Sequence, residues 1–396
     1  MGQPPPFTEM LTKLIKEPSV SCINPDYDRS NLRVIELLAN WLDDLGFQTE
    51  LTPLPDQPHK ANLIARAGPN TERRCATDTT NAGLVLAGHT DTVPCDPNRW
   101  QFDPFQATDA NDRFYGLGSC DMKGFFGIVL DALRNRPLRE LKQPLTIVAT
   151  SDEESSMAGA RLILDSAAVQ ARAAVIGEPT SLQPIYAHKG MMMLAIRLRG
   201  RSGHSSNPAL GANALDAMHS VMGELLAFRT ELAARHQHPG FEVEVPTLNL
   251  GCMHAGDNPN RICSSAELQI DLRLLPGMDT TAILEQLHAR LERISKRCET
   301  TLTMGPLFPP VPALDTAPGA ELVQVLESIA GRKAGTVAYG TEGPFFRALG
   351  IETVIFGPGS IDQAHQPDEY LAHEQITPAV TMIGKIIDHY CGTGAA

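Results

Sequence analysis

Compact apolar runs that alternate with helical patterns restrict the fold of this chain more than any other feature. Gly83 to Ala87 carries an unbroken Leu84-Val85-Leu86-Ala87 run, and Asn62 to Ala65, Pro144 to Thr150 and Ala173 to Ile176 are of the same kind. Runs this short, apolar on both faces, suit strands buried on both sides of a sheet. Between them, apolar residues recur at helical spacing. Ser30 to Leu45 places Leu32, Ile35, Leu38, Trp41 and Leu42 on one face and stops at Gly46; Asp121 to Leu133 and Ala158 to Leu164 read as further helices. Strands alternating with helices predict an α/β fold, a mixed sheet sandwiched by helices.

The texture changes near Pro184. Met191 to Arg199 alternates apolar and polar residues, and helical spacing returns over Asn213 to Leu232 and Thr280 to Ile294. Thr247 to Leu250 and Ala266 to Leu274 read as strands between those helices. This order predicts a smaller α+β, ferredoxin-like domain with a one-sided sheet. After about residue 298 the first texture resumes, with a helix over Gly319 to Ala330, a strand over Thr353 to Phe356 and a final helix over Thr377 to Tyr390. At 396 residues the chain exceeds the length at which one core stops growing. The expected organisation is a catalytic domain of residues 1–182 and 298–396, interrupted by an inserted domain of residues 183–297. Pro69 to Asn81, a polar stretch with Arg73, Arg74 and several threonines, is expected to be an exposed hairpin loop.

Charge excludes several functions. The formal net charge is -13, and no basic stripe of the kind that binds nucleic acid or anionic lipid occurs. Arg197, Arg199 and Arg201 alternate, which in a strand is a solvated face. No run is long and apolar enough to span a membrane, and Met1 to Lys16 lacks the apolar core of an export signal. The eight cysteines are scattered without a Cys-x-x-Cys pair, so reduced thiols and a cytoplasmic location are expected.

Five polar clusters carry the chemistry. His89-Thr90-Asp91 follows the Leu84 run directly; extended residues two apart share a side, so His89 could bind a metal while Asp91 accepts from its imidazole. Asp121 stands before the apolar helix from Phe125, where alone it would read as an N-cap. Asp152-Glu153-Glu154 ends a buried strand, and three adjacent carboxylates there repel unless a cation or proton intervenes. Glu178 again follows a buried strand, and His365 follows the strand ending at Phe356 and the loop Gly357-Pro358-Gly359. The carboxyl edge of an α/β sheet is where ligands bind. Two histidines with at least three carboxylates suit zinc or cobalt. Charge balance fits two divalent ions: Asp121, Glu154 and Glu178 with a bridging hydroxide neutralise them, and a metal-bridged hydroxide is a hydrolytic nucleophile near neutral pH. One carboxylate of the Glu153-Glu154 pair is then free to move protons. Spacing alone leaves open which one.

The strings Gly88-His89-Thr90-Asp91-Thr92-Val93-Pro94, Asp152-Glu153-Glu154, Gly177-Glu178-Pro179-Thr180 and Ala364-His365-Gln366-Pro367-Asp368-Glu369-Tyr370 resemble the M20 family of two-zinc metallopeptidases and deacylases, in the family's order and over nearly the whole chain. The resemblance implies that His89, Asp121 and Glu178 hold one metal, and that Asp121, Glu154 and His365 hold the other. It implies that Asp91 orients His89, that Glu153 is the general acid–base and that the Asp121–Met122 peptide is cis. It also implies that the inserted domain dimerises and that His204 of Arg201-Ser202-Gly203-His204 reaches the partner subunit's site. Longer strings, among them Asp257-Asn258-Pro259-Asn260-Arg261-Ile262-Cys263 and Thr341-Glu342-Gly343-Pro344-Phe345, resemble the members that deacetylate N2-acetyl-L-ornithine. N-acetylcitrulline and N-succinyl-diaminopimelate are the rival substrates. Arg261 is then expected to bind the substrate α-carboxylate and Glu342 its ammonium. A non-catalytic small-molecule-binding relative would have lost Glu153 or a ligand, and every such position is filled. Cys120, where a small residue is expected, places a thiol beside the bridging aspartate.

Overall fold

The computed structural model describes residues 2–69 and 82–392; the loop expected over Pro69 to Asn81 lies almost wholly outside the described residues. The chain divides into two compact units, one of residues 1–186, 316–335 and 341–396, the other of residues 187–315 and 336–340.

The first unit is built on a mixed sheet. Among the described residues, six of its nine strands lie in the order Gln48–Leu54, Gln57–Ala67, Leu145–Thr150, Leu84–His89, Ala173–Ile176 and Glu352–Ile355. The last four run parallel, and Gln57–Ala67 pairs antiparallel with both of its neighbours, Gln48–Leu54 and Leu145–Thr150. Leu84–His89, Leu145–Thr150 and Ala173–Ile176 are buried at every position, which is why their sequences read as unbroken apolar runs. Helices cover the sheet. Lys123–Leu133 packs on Phe7–Lys16 and His373–Cys391, and Leu32–Leu45 packs on Gln57–Ala67. The expected helix from Asp121 begins two residues later, at Lys123, after a cis Asp121–Met122 peptide. A small antiparallel sheet of Thr108–Ala110, Arg113–Tyr115 and Tyr370–Ala372 flanks that turn.

The second unit is a four-stranded antiparallel sheet in the order Thr247–Ala255, Ser265–Leu274, Gly190–Arg199 and Thr301–Pro306. Ser265–Leu274 alternates between covered and open positions, as a sheet with one covered face requires. Helices Ala214–Arg235 and Thr280–Arg297 pack on it, opened by Asn213 and Asp279, whose side chains accept the first free N–H groups. Arg197 and Arg199 are exposed, and Arg197 is paired with Glu267 at 2.6 Å. The unit runs past residue 297, because Thr301–Pro306 is an edge strand of this sheet. The Gly305-Pro306 ending masks that strand in the sequence, and proline is tolerated there because an edge need not donate.

Candidate metal centre

The four parallel strands end side by side. His89 is opposite Thr150, and Ile176 is opposite both Ala87 and Ile355. The residues that follow each strand therefore meet at one edge. His89 closes its strand, Asp152 to Glu154 follow Thr150, and Glu178 follows Ile176. Gly177 makes this convergence possible: a Cβ there would lie 2.3 Å from the Phe125 ring.

Asp121 sits between the two histidines. His89 Nε2 is 3.1 Å from Asp121 Oδ1 and 3.8 Å from Glu178 Oε1. His365 Nε2 is 3.6 Å from Asp121 Oδ2 and 2.9 Å from Glu154 Oε1. One aspartate thus offers an oxygen to each histidine. Ligand atoms of His89, Asp121 and Glu154 lie within 4.8 Å of one another, as do those of His89, Glu153 and Glu178. The imidazole of His89 is oriented by a different Asp91 atom from the one expected. His89 Nδ1 donates to the Asp91 backbone carbonyl at 3.0 Å, while the nearest Asp91 carboxylate oxygen is 3.8 Å away. That carboxylate instead accepts the N–H groups of Glu153, at 3.2 Å, and Glu154, at 3.1 Å.

The electrostatics call for positive charge. Burial raises the Glu153 carboxyl well above its usual range, and Glu178, Glu154 and Asp91 push the same way. Glu178 is raised well by burial and by the adjacent Asp121. Burial opposes a charged His89, but its bond to Asp121 and the carboxylates of Glu178, Glu153 and Asp91 outweigh that and raise it well. The hydrogen bond to Glu154 lifts His365 to about 9. A set that binds protons this strongly, buried except at His365, will exchange them for cations, since metal ligation requires neutral imidazoles and ionised carboxylates. The donors present fit a pair of divalent ions.

His204 and Arg261 belong to the second unit and are neighbours there through a backbone bridge. His204 is exposed with Nδ1 2.7 Å from Ser206 Oγ, and Arg261 is exposed and paired with Asp257 at 2.6 Å. Glu342 is 0% exposed, and its Oε1 has no hydrogen-bond partner among the described residues. Its Oε2 accepts from the Thr150 hydroxyl at 2.6 Å, beneath the strand end beside His89, and burial lifts its carboxyl to about 7. The motif Thr341-Glu342-Gly343 carries no local sign of this, since the partner lies on a strand 192 residues away. Cys120 is buried, and burial beside Glu369 and Asp121 raises its thiol well above the usual range, which makes it a poor nucleophile. The seven described cysteines are free.

Sequence reasoning missed two supports. Lys60, 2% exposed, bridges Asp28 at 2.6 Å and Asp152 at 2.5 Å. Asp152 has a left-handed backbone, φ 57°, immediately before Glu153, so this ion triad braces the turn that carries the acid–base candidate. Glu369 accepts three backbone N–H groups around Asp121. A lysine at the entrance to the apolar run Leu63-Ile64-Ala65 of the same strand is the signal that could have exposed the first.

The profile of peptidase family M20/M25/M40 matches residues 85–389. An acetylornithine deacetylase of Klebsiella pneumoniae (strain 342) is 47% identical over 387 residues, 98% of each chain. Among solved structures, a Staphylococcus aureus tripeptidase shares 17% identity at a TM-score of 0.74 over 97% of each chain. An M20 family metallo-carboxypeptidase of Sulfolobus solfataricus shares 19% at 0.74, over 97% of this chain and 99% of that one. The M20 resemblance read from the motifs and the mixed α/β sheet both hold, and the chain belongs to peptidase family M20/M25/M40, as a metal-dependent hydrolase.

Proposed function

We propose that this chain hydrolyses N2-acetyl-L-ornithine to L-ornithine and acetate, a step of arginine biosynthesis. The observation that carries the substrate is the near full-length similarity to the Klebsiella deacetylase. The donor geometry supports the chemistry. Bound divalent ions, zinc or cobalt by the character of the donors, supply Lewis acidity toward the acyl oxygen and lower the pKa of a water. His89 and Glu178 would hold one ion and Glu154 and His365 the other, with Asp121 offering an oxygen to each. Glu153 takes the proton of the attacking water and returns it to the departing amine nitrogen, so the peptide-like C–N bond breaks without a charged leaving group. Its buried, high-affinity carboxylate suits holding a proton between those two transfers.

The second unit supplies recognition in this reading. Arg261 exchanges its exposed Asp257 partner for the substrate α-carboxylate, a bidentate pairing suited to guanidinium. His204 serves the partner subunit of a homodimer, donating to the oxyanion. A cytoplasmic location suits a biosynthetic enzyme; no helix among the described residues is long and apolar enough to cross a membrane.

The test is a substrate panel on zinc- and on cobalt-loaded protein: acetylornithine, acetylcitrulline, acetylmethionine and succinyl-diaminopimelate. The highest kcat/KM is expected for acetylornithine. A higher value for any of the other three reassigns the substrate, and no hydrolysis of any by two-metal protein removes the enzymatic reading.

A further inference from the structure

Glu369 lies on the segment that carries His365, yet its side chain is spent on the opposite part of the centre. It is 1% exposed. Oε1 accepts the N–H of Cys120 at 2.8 Å and of Asp121 at 2.9 Å; Oε2 accepts the N–H of Gly118 at 3.1 Å. Its backbone carbonyl accepts the Gly116 N–H at 3.0 Å. The residues bonded to its side chain are 248 to 251 positions away in sequence. Two further ties belong to the same segment. Asp368 Oδ1 accepts from Gln101 and Phe102, at 2.8 and 3.2 Å, and Tyr370 pairs with Tyr115 in the small sheet.

We infer that Glu369 is a positioning residue of the metal centre, gripping the backbone of Asp121 so that its two oxygens stay aimed at His89 and His365. The inference rests on the two-metal reading proposed above. A turn that needed only a generic acceptor could use a carbonyl or an amide. Three converging N–H groups need two acceptor oxygens, which a carboxylate has and a carboxamide lacks. The nearby Lys123 ammonium does not use Glu369; it donates to the carbonyls of Leu14 and Glu17 at 3.2 and 2.9 Å. The carboxylate is therefore committed to the loop. Because His365 is on the Glu369 segment, releasing the grip also frees His365 to drift relative to Asp121, and the donor set common to both ions loosens.

The experiment is calorimetric titration of chelator-stripped protein with Co(II), with the visible cobalt spectrum read at each equivalent. Glu369→Gln keeps the acceptor for Cys120 and Asp121 but turns an N–H toward Gly118; Glu369→Ala loses all three bonds. Partners of ligands typically change metal affinity about 10- to 100-fold. The expected loss is about tenfold for the glutamine variant and about a hundredfold for the alanine variant, with altered cobalt bands in both. A purely structural strut would lower the melting temperature of the metal-free protein and leave both dissociation constants and the spectrum as in wild type, and that result overturns the inference. If the alanine variant does not fold, the glutamine variant decides alone. A wild-type chain that takes up no Co(II) overturns the two-metal reading, and this inference with it; wild-type-like binding by the variants overturns this inference only.

Discussion

Asp91 and Glu153 are joined through the main chain: an Asp91 carboxylate oxygen accepts the Glu153 N–H at 3.2 Å. The other oxygen accepts the N–H of Glu154 at 3.1 Å, and the Asp91 carbonyl orients His89. One residue therefore sets both the imidazole and the acidic turn. Asp91→Asn keeps only one acceptor oxygen and should misplace Glu153. A kcat reduced about 10- to 100-fold is expected, as for partners of metal ligands elsewhere. Steady-state kinetics with metal content measured alongside checks it; unchanged kcat would show that the clamp has no catalytic consequence.

Glu153→Gln removes the proton carrier but keeps the side-chain shape. General acid–base groups contribute roughly two to four orders of magnitude in rate. The variant should bind two metal equivalents, retain KM within a few-fold and lose activity on that scale. Near-normal turnover in metal-replete protein excludes Glu153 from proton transfer.

His188, in the second unit, is expected to make folding stability pH-dependent. It is 0% exposed, its Nδ1 donates to the Lys189 carbonyl at 2.8 Å, and burial lowers its pKa from 6.5 to about 4. Between about pH 4 and 6.5 the unfolded chain binds a proton that the folded chain does not, so folding stability falls as pH drops through that window. The full effect is on the order of 3 kcal/mol, from roughly 1.4 kcal/mol per pKa unit. Urea unfolding of wild type and His188→Gln at several pH values checks the sign. The wild-type curve should fall more steeply below pH 6.5; parallel curves refute the assignment.

His204 and Glu153 lie in different units, which permits a subunit-mixing experiment. If His204 acts in the partner's site, mixing inactive His204→Ala with inactive Glu153→Gln subunits should restore activity, because one site of each heterodimer then carries neither defect. Loss of one oxyanion donor costs on the order of a hundredfold or more in kcat, so the recovery is measurable. Demonstrated subunit exchange with no recovery refutes action across the interface.

The strands of the first unit were legible because burial on both faces writes itself as local composition, and the one-sided sheet was legible from Ser265–Leu274 as alternation. Helix starts were legible where Asn213 and Asp279 cap them. His89, Asp121, Glu154 and Glu178 could be read as candidate ligands because each sits close to a strand end or a helix entrance; His365, ten residues past the end of Glu352–Ile355, has only the order of the motifs to mark it. Tertiary structure alone decided what each buried polar group binds. It turned the Asp91 carboxylate from His89 to the amides of the acidic turn, sealed Glu342 against Thr150, drew Thr301–Pro306 into the second unit's sheet and set Glu369 beneath Asp121. The physical reason is common to all of them. Most buried hydrogen-bonding groups take a partner from whatever the fold brings within about 3 Å. For Glu342 and Glu369 that partner is 192 or more positions away, and no periodicity in the sequence records it.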